Sequence, residues 1–140
     1  GLDEDAAQGG GIFVKARVST TITSSTVVLN TARTGGGIYV EGSTTAAPTS
    51  VTLDGVTVDG NRADTAGGGI FVESTNQGSG AAGTSLSLGN NTVIRNNVVL
   101  NSNPSIGRGG GLYFGRGTRF LLGVTFQDND AASGDGIFRI

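Results

Sequence analysis

The hydrophobic residues of this chain recur in short alternating runs rather than with helical spacing. Five runs follow a glycine cluster and read apolar, aromatic, then a third residue that is apolar in the first four. They are GIFV at 11–14, GIYV at 37–40, GIFV at 69–72, GLYF at 111–114 and GIFR at 136–139. Each run is too short for a helix, and a period of two is typical of half-buried strands. The pattern therefore predicts five equivalent short strands.

Two further runs precede these strands. One ends in asparagine and reads VVLN at 27–30, VDGN at 58–61, IRNN at 94–97 and FQDN at 126–129. The other alternates and reads VTL at 51–53, LSL at 86–88 and FLL at 120–122, with a weaker copy, TIT, at 21–23. The last glycines of the five clusters lie 26, 32, 42 and 25 residues apart, which fits a repeat unit of about 25 residues with insertions. Three short strands per unit predict an all-β fold, a parallel β-helix (β-solenoid) of about five rungs with three strands each.

In such a stack, equivalent side chains form columns along the rod. We expect the aliphatic columns to face the core, so that no rung has to bury its apolar face alone. The expected core columns are Ile12, Ile38, Ile70, Leu112 and Ile137; Val14, Val40, Val72 and Phe114; Val27, Val58, Ile94 and Phe126; Val51, Leu86 and Phe120; and Leu53, Leu88 and Leu122.

The intervening column is aromatic and is expected to point outward. Its members are Phe13, Tyr39, Phe71, Tyr113 and Phe138. It is interpreted either as a ladder that stabilises the stack or as a platform for a glycan or another rod. Arg139 falls in a column predicted to face inward, so a reversal of the two faces stays open. A turn ladder is expected at Asn30, Asn61, Asn97 and Asn129, because asparagine suits turns and its amides pair between stacked strands.

Composition and charge exclude several classes of protein. Glycine supplies 26 of the 140 residues, and cysteine, histidine, methionine and tryptophan are absent. Thiol chemistry, disulfides and histidine-based catalysis are therefore excluded. The net charge is −2 and the nine basic residues are scattered, so no nucleic-acid partner is expected. No apolar stretch has the length of a membrane-spanning helix, and no membrane insertion is expected.

Few residues suggest chemistry, and we predict no catalytic, cofactor-binding or metal-binding residue and no cofactor. Glu41 and Glu73 follow the same strand in neighbouring rungs, with Lys15 one rung earlier. They are interpreted as an exposed charge column, with a calcium bridge or an acid–base pair as the alternatives. The G-x-G-x-x-G run at 78–83 leads into a strand rather than a helix, so we expect an insertion loop and not a dinucleotide site. Asn90 begins a sequon for N-glycosylation.

The pairing of V/I/F-x-x-N with G-G-G-I resembles the repeats of the polymorphic outer-membrane proteins and related bacterial surface β-helix proteins. Those repeats carry F-x-x-N and G-G-[A/G]-I motifs, and residues 126–129 match the first motif literally. The resemblance extends over nearly the whole chain. It implies a right-handed β-helix, secreted or displayed on a cell surface, with adhesion or scaffolding as its role. It brings no catalytic residue.

The chain begins just before one glycine strand and stops within another. We therefore expect one β-helix domain over 1–140 with uncapped ends. An uncapped solenoid exposes unpaired strands that favour association, so we expect head-to-tail self-association in an extracellular or cell-surface fibre or adhesin. The alternative is a carbohydrate-binding or polysaccharide-cleaving β-helix with glycans as partners.

Overall fold

The computed structural model describes residues 7–44, 46–73 and 83–140. These residues form sixteen strands and no helix. The first strand is β1 (Ile12–Val14), and three complete turns of four strands follow it. They are β2 (Ser19–Thr23), β3 (Thr26–Val28), β4 (Thr31–Thr34) and β5 (Ile38–Val40); β6 (Thr49–Asp54), β7 (Thr57–Asp59), β8 (Arg62–Ala66) and β9 (Ile70–Val72); and β10 (Thr84–Leu88), β11 (Val93–Arg95), β12 (Val98–Val99) and β13 (Leu112–Phe114). A last, partial turn holds β14 (Thr118–Leu121), β15 (Thr125–Gln127) and β16 (Ile137–Arg139).

Equivalent strands of successive turns pair in parallel and form four sheets. The glycine sheet has the order β1-β5-β9-β13-β16, and the long sheet has the order β14-β10-β6-β2. The asparagine sheet has the order β15-β11-β7-β3, and the short sheet has the order β12-β8-β4. Register is strict in the glycine sheet, where Ile38 pairs with Ile70 and Ile70 pairs with Leu112. The predicted class, an all-β parallel β-solenoid, is confirmed.

The count of five rungs with three strands each differs from the structure. The glycine sheet does have five strands, but only three turns are complete and each contains a fourth strand. That strand was missed because β4 and β8 consist of Thr, Ala, Arg and Asp and show no apolar alternation. Their inward residues are the small Ala32 and Ala63, which are buried.

The core lies between the sheets and consists of the aliphatic columns. Ile38, Ile70 and Leu112 are fully buried, as are Val40 and Val72. Because these residues face inward, alternation turns the aromatic column outward. The possible reversal of the two faces is therefore excluded.

The predicted core positions of Phe120 and Leu122 are wrong. Leu86 pairs with Arg119 and Leu88 with Leu121, so Phe120 pairs with the outward Ser87. Phe120 is 59% exposed and Leu122 is 68% exposed. A shift of one residue sends every side chain of a strand to the opposite face, and the run Phe-Leu-Leu is apolar at both phases.

Each glycine of a triplet has its own physical reason, as Gly35–Gly37 shows. Gly35 has a φ of +65°, in the left-handed region that favours glycine. A Cβ on Gly36 would collide with the carbonyl oxygens of the next turn, at Gly68 and Arg62. A Cβ on Gly37 would lie 3.0 Å from the amide of Asn61. The triplet is therefore a corner that allows close stacking of turns.

Two other corners also use left-handed backbone. One precedes the asparagine ladder, and its residues are Leu29, Gly60, Asn96 and Asp128, with φ between 50° and 65°. The other follows the long-sheet strands, and its residues are Ser24, Gly55, Asn91 and Gly123. Of the G-x-G-x-x-G run, residues 78–82 lie outside the described part of the chain.

Candidate functional site

The aromatic column forms one continuous stack on the outside of the glycine sheet. Successive ring centres lie 5.3, 5.1, 4.6 and 5.5 Å apart, and the ring planes differ by at most 15°. Stacked aromatic pairs contribute about 0.5–1.5 kcal/mol each beyond the area they bury. Four pairs therefore stabilise the stack of turns by roughly 2–6 kcal/mol. Since the sheet register alone places the rings above one another, the ladder follows from the repeat.

The ring faces of the ladder are largely unavailable to a ligand. Tyr39 is only 3% exposed and Tyr113 only 9%, whereas Phe13, at one end of the stack, is 45% exposed. Each inner ring has a neighbouring ring on both faces, so solvent reaches mainly ring edges. A sugar that stacks on an aromatic residue needs a free ring face. Of the five rings, Phe13 offers the largest exposed area.

Glu41 and Glu73 bind backbone of the preceding turn. Oε2 of Glu41 accepts a hydrogen bond from the Ala16 N–H at 2.8 Å, and Oε2 of Glu73 accepts one from the Gly42 N–H at 2.9 Å. The two carboxylates therefore occupy equivalent positions and each satisfies a donor beside a strand end. In the next turn this position is Gly115, which has no side-chain acceptor.

The carboxylates also act on the phenol of Tyr39. Burial raises the pKa of Tyr39 well above its ordinary value, and the charge of Glu73, a hydrogen bond to Glu73 and the charge of Glu41 raise it further. The phenol consequently stays neutral at physiological pH and also accepts a bond from Gln8 Nε2 at 3.3 Å. A tyrosine held neutral in this way is a poor base at neutral pH.

Arg108 is a functional candidate that sequence reasoning missed. Its guanidinium carbon lies 4.7 Å from the ring centre of Phe138, within the range of a cation–π contact. Burial raises the pKa of Tyr113, while the charge and hydrogen bond of Arg108 oppose that rise. The equivalent positions in other turns are Gln8, Thr34, Ala66 and Ser133. Because these residues share no chemistry, no repeat pattern marks Arg108.

The four asparagines form a directional hydrogen-bonded ladder at the end of the asparagine sheet. Oδ1 of Asn61 accepts from both the N–H and the amide of Asn30, at 3.0 Å each. Asn97 accepts from Asn61 in the same way, and Asn129 accepts from Asn97. Each of the last three amides also donates to a backbone carbonyl of the preceding turn at 2.9 Å. Asn61 and Asn97 are fully buried.

An ion pair on the asparagine sheet was not predicted. Arg95 Nε lies 2.9 Å from Asp59 Oδ2, and Asn96 Nδ2 donates to Asp59 Oδ1 at 2.8 Å. The hydrogen bond from Asn96 lowers the pKa of Asp59 most, and the bond and charge of Arg95 lower it further against a small opposing effect of burial. The pair is exposed to solvent and contributes little to stability.

Asn90 lies in an exposed turn with Asn91. The threonine of its sequon, Thr92, is buried, and its hydroxyl donates to the Leu53 carbonyl at 3.2 Å. Within the described residues, no three carboxylates lie close enough together to hold a metal ion. The same residues include no helix with the length and apolar character needed to cross a membrane.

A known protein family matches the second complete turn of the rod. Residues 55–73 match the family model of the Chlamydia polymorphic membrane protein repeat. This segment contains β7, Asn61 of the ladder, β8, the Gly67–Gly69 corner and β9. No curated protein and no solved structure matches the chain significantly. Because the matched unit recurs in register along a β-solenoid, this chain carries repeats of the polymorphic outer-membrane protein type.

Proposed function

We propose that this chain is a non-enzymatic structural rod, displayed at a cell surface or outside the cell, that serves as a segment of a fibre or an adhesin. The observation that carries the proposal is the match of residues 55–73 to a surface-protein repeat in a turn whose contacts recur along the rod. Repeats of this kind fit a surface structural protein.

The polar groups of the outer surface support a structural role. Glu41, Glu73 and the asparagines hold backbone or one another. The rings of the aromatic ladder stack on one another. These groups are used in holding turns together, which is what a rod requires.

Location is tested by protease treatment of intact cells that produce the chain, followed by detection with an antibody against it. Loss of the signal from intact cells, with an internal marker protein preserved, is the expected result. If the signal survives on intact cells but disappears after lysis, the chain is inside the cell and the proposal fails.

The carbohydrate-binding alternative depends on the one ring with a substantially exposed face. A glycan array on the wild-type chain, followed by Phe13→Ala and Tyr113→Ala, separates the two functions. The structural proposal expects no glycan to bind in a manner that Phe13→Ala abolishes. Binding that is lost in Phe13→Ala and kept in Tyr113→Ala would favour the alternative.

Head-to-tail self-association stays a prediction. In the described residues, the strands whose outer edges a second copy would have to meet at the end near residue 140 are β14, β15 and β16. The side chains that these strands present to such a copy decide whether the contact is feasible.

A further inference from the structure

The last turn differs from the others in the middle residue of its glycine triplet. A Cβ on Gly68 would lie 2.5 Å from the carbonyl oxygen of Gly110, and a Cβ on Gly110 would lie 2.6 Å from that of Asp135. Each middle glycine is thus required by the turn above it. The last triplet has Asp135 at this position. A further turn with the same geometry would press a carbonyl oxygen onto the Cβ of Asp135.

The side chain of Asp135 also replaces a hydrogen bond that a further turn would supply. In the turn below, the Val99 N–H donates to the carbonyl of Asp130 in the next turn at 2.9 Å. Val98 pairs with Asp130, so Ala131 is the equivalent of Val99. The Ala131 N–H instead donates to Oδ1 of Asp135 at 3.1 Å. The carboxylate therefore satisfies a donor that would otherwise be left open at the edge.

Two arginines occupy columns that are apolar in the turns beneath them. Arg119 pairs with Leu86 and Arg139 pairs with Phe114. The guanidinium carbon of Arg119 lies 6.0 Å from the ring centre of Phe114. At the end of the rod, the stem of an arginine can cover apolar side chains while its charge stays in water. Under a further turn, the same charge would be buried without a partner, which is costly.

We propose that residues 118–139 form a cap, which prevents any further turn, including one from a second copy of this chain, from pairing in register with β14, β15 and β16. Charged side chains at strand edges block edge-to-edge association in the same way. The asparagine ladder itself is open at Asn129, so the block lies at Asp135, Arg119 and Arg139. The inference does not depend on where the rod is displayed, and it predicts a rod of fixed length rather than an open-ended filament.

The cap is tested by light scattering over a range of concentrations and by electron microscopy. The wild-type chain should keep the mass of one chain, 13.9 kDa, and form no elongated assemblies. The uncapped variant Arg119→Leu/Asp135→Gly/Arg139→Val should gain mass with concentration. The control Arg119→Lys/Asp135→Asn/Arg139→Lys keeps charge and polarity and should stay monomeric. End-to-end filaments of the wild type, or a folded uncapped variant that remains monomeric, would overturn the proposal.

A second measurement holds even if the uncapped variant does not fold. Amide hydrogen exchange at Ala131 should speed up in Asp135→Ala and stay near the wild-type rate in Asp135→Asn, which keeps a carbonyl acceptor. An unchanged exchange rate in Asp135→Ala would show that the carboxylate does not replace the missing turn, and the proposal would fall.

Discussion

Replacing Asn97 with alanine measures how much the asparagine ladder stabilises the rod. The Asn97 side chain is fully buried and makes four hydrogen bonds. Alanine removes that partner from the Asn61 N–H, from one hydrogen of the Asn61 amide and from the Val58 carbonyl. A buried polar group that loses its partner costs about 1–3 kcal/mol. With some relief from water entering the vacated space, we expect a loss of roughly 3–6 kcal/mol in the free energy of unfolding.

Asn30 provides the matched control, because it belongs to the same ladder but lies at its end. Its side chain is half-buried and donates one hydrogen bond, to Asn61 at 3.0 Å. Asn30→Ala should therefore cost only about 0.5–1.5 kcal/mol. Urea unfolding followed by circular dichroism, with linear extrapolation, gives both values. Equal losses in the two variants, or a loss below about 1 kcal/mol for Asn97→Ala, would refute the assignment of the stability to buried amide bonds.

The variant Asn97→Asp adds a test by pH. The introduced carboxylate would face two acceptors, the Val58 carbonyl and Oδ1 of Asn129, in a buried site. Its pKa in the folded state should therefore lie above the ordinary value of about 3.9. The destabilisation should be smallest below that ordinary value and grow as the pH rises through the folded-state pKa. A deficit that does not depend on pH would contradict this account.

Three further predictions concern single positions. Leu29 has a φ of 56°, so Leu29→Asn should raise the free energy of unfolding by about 0.5–1 kcal/mol in thermal melts; a loss would contradict the prediction. Gly68→Ala should prevent folding or cost several kcal/mol, because its Cβ would lie 2.5 Å from the Gly110 carbonyl; a normal melting curve would show that the turns can move apart. Tyr39 has a raised pKa, so its contribution is full below about pH 10 and declines as the pH rises above that value. Tyr39→Phe, which loses the bond to Glu73, should show a shallower alkaline loss of stability, and an equal loss would contradict the assignment.

The glycine and asparagine columns could be predicted because their residues have few substitutes. Gly36 is fixed by the backbone of the next turn, and Asn61 by bonds to the turns on both sides. Constraints of this kind recur in every turn and therefore appear in the sequence as a repeat. The register of the glycine sheet follows directly from them.

The rest of the structure depends on information that one sequence does not carry. The short sheet needs only small inward residues such as Ala63, and alanine is not specific to strands. The phase of β14 could not be read because Phe120 and Leu121 are both apolar, and their faces are set by pairing with β10. The contact of Arg108 with Phe138 arises from tertiary placement of a residue that varies between turns.

The strict register has a genetic consequence. Ile38, Ile70 and Leu112 are equivalent, so each turn offers its neighbour above the same surface that it receives from its neighbour below. Removing residues 38–69 would join Gly37 directly to Ile70 and would leave the aromatic and asparagine columns aligned. Duplication or loss of a whole unit by recombination can therefore lengthen or shorten the rod without creating a new kind of contact. Rod length is thus free to evolve in steps of one turn.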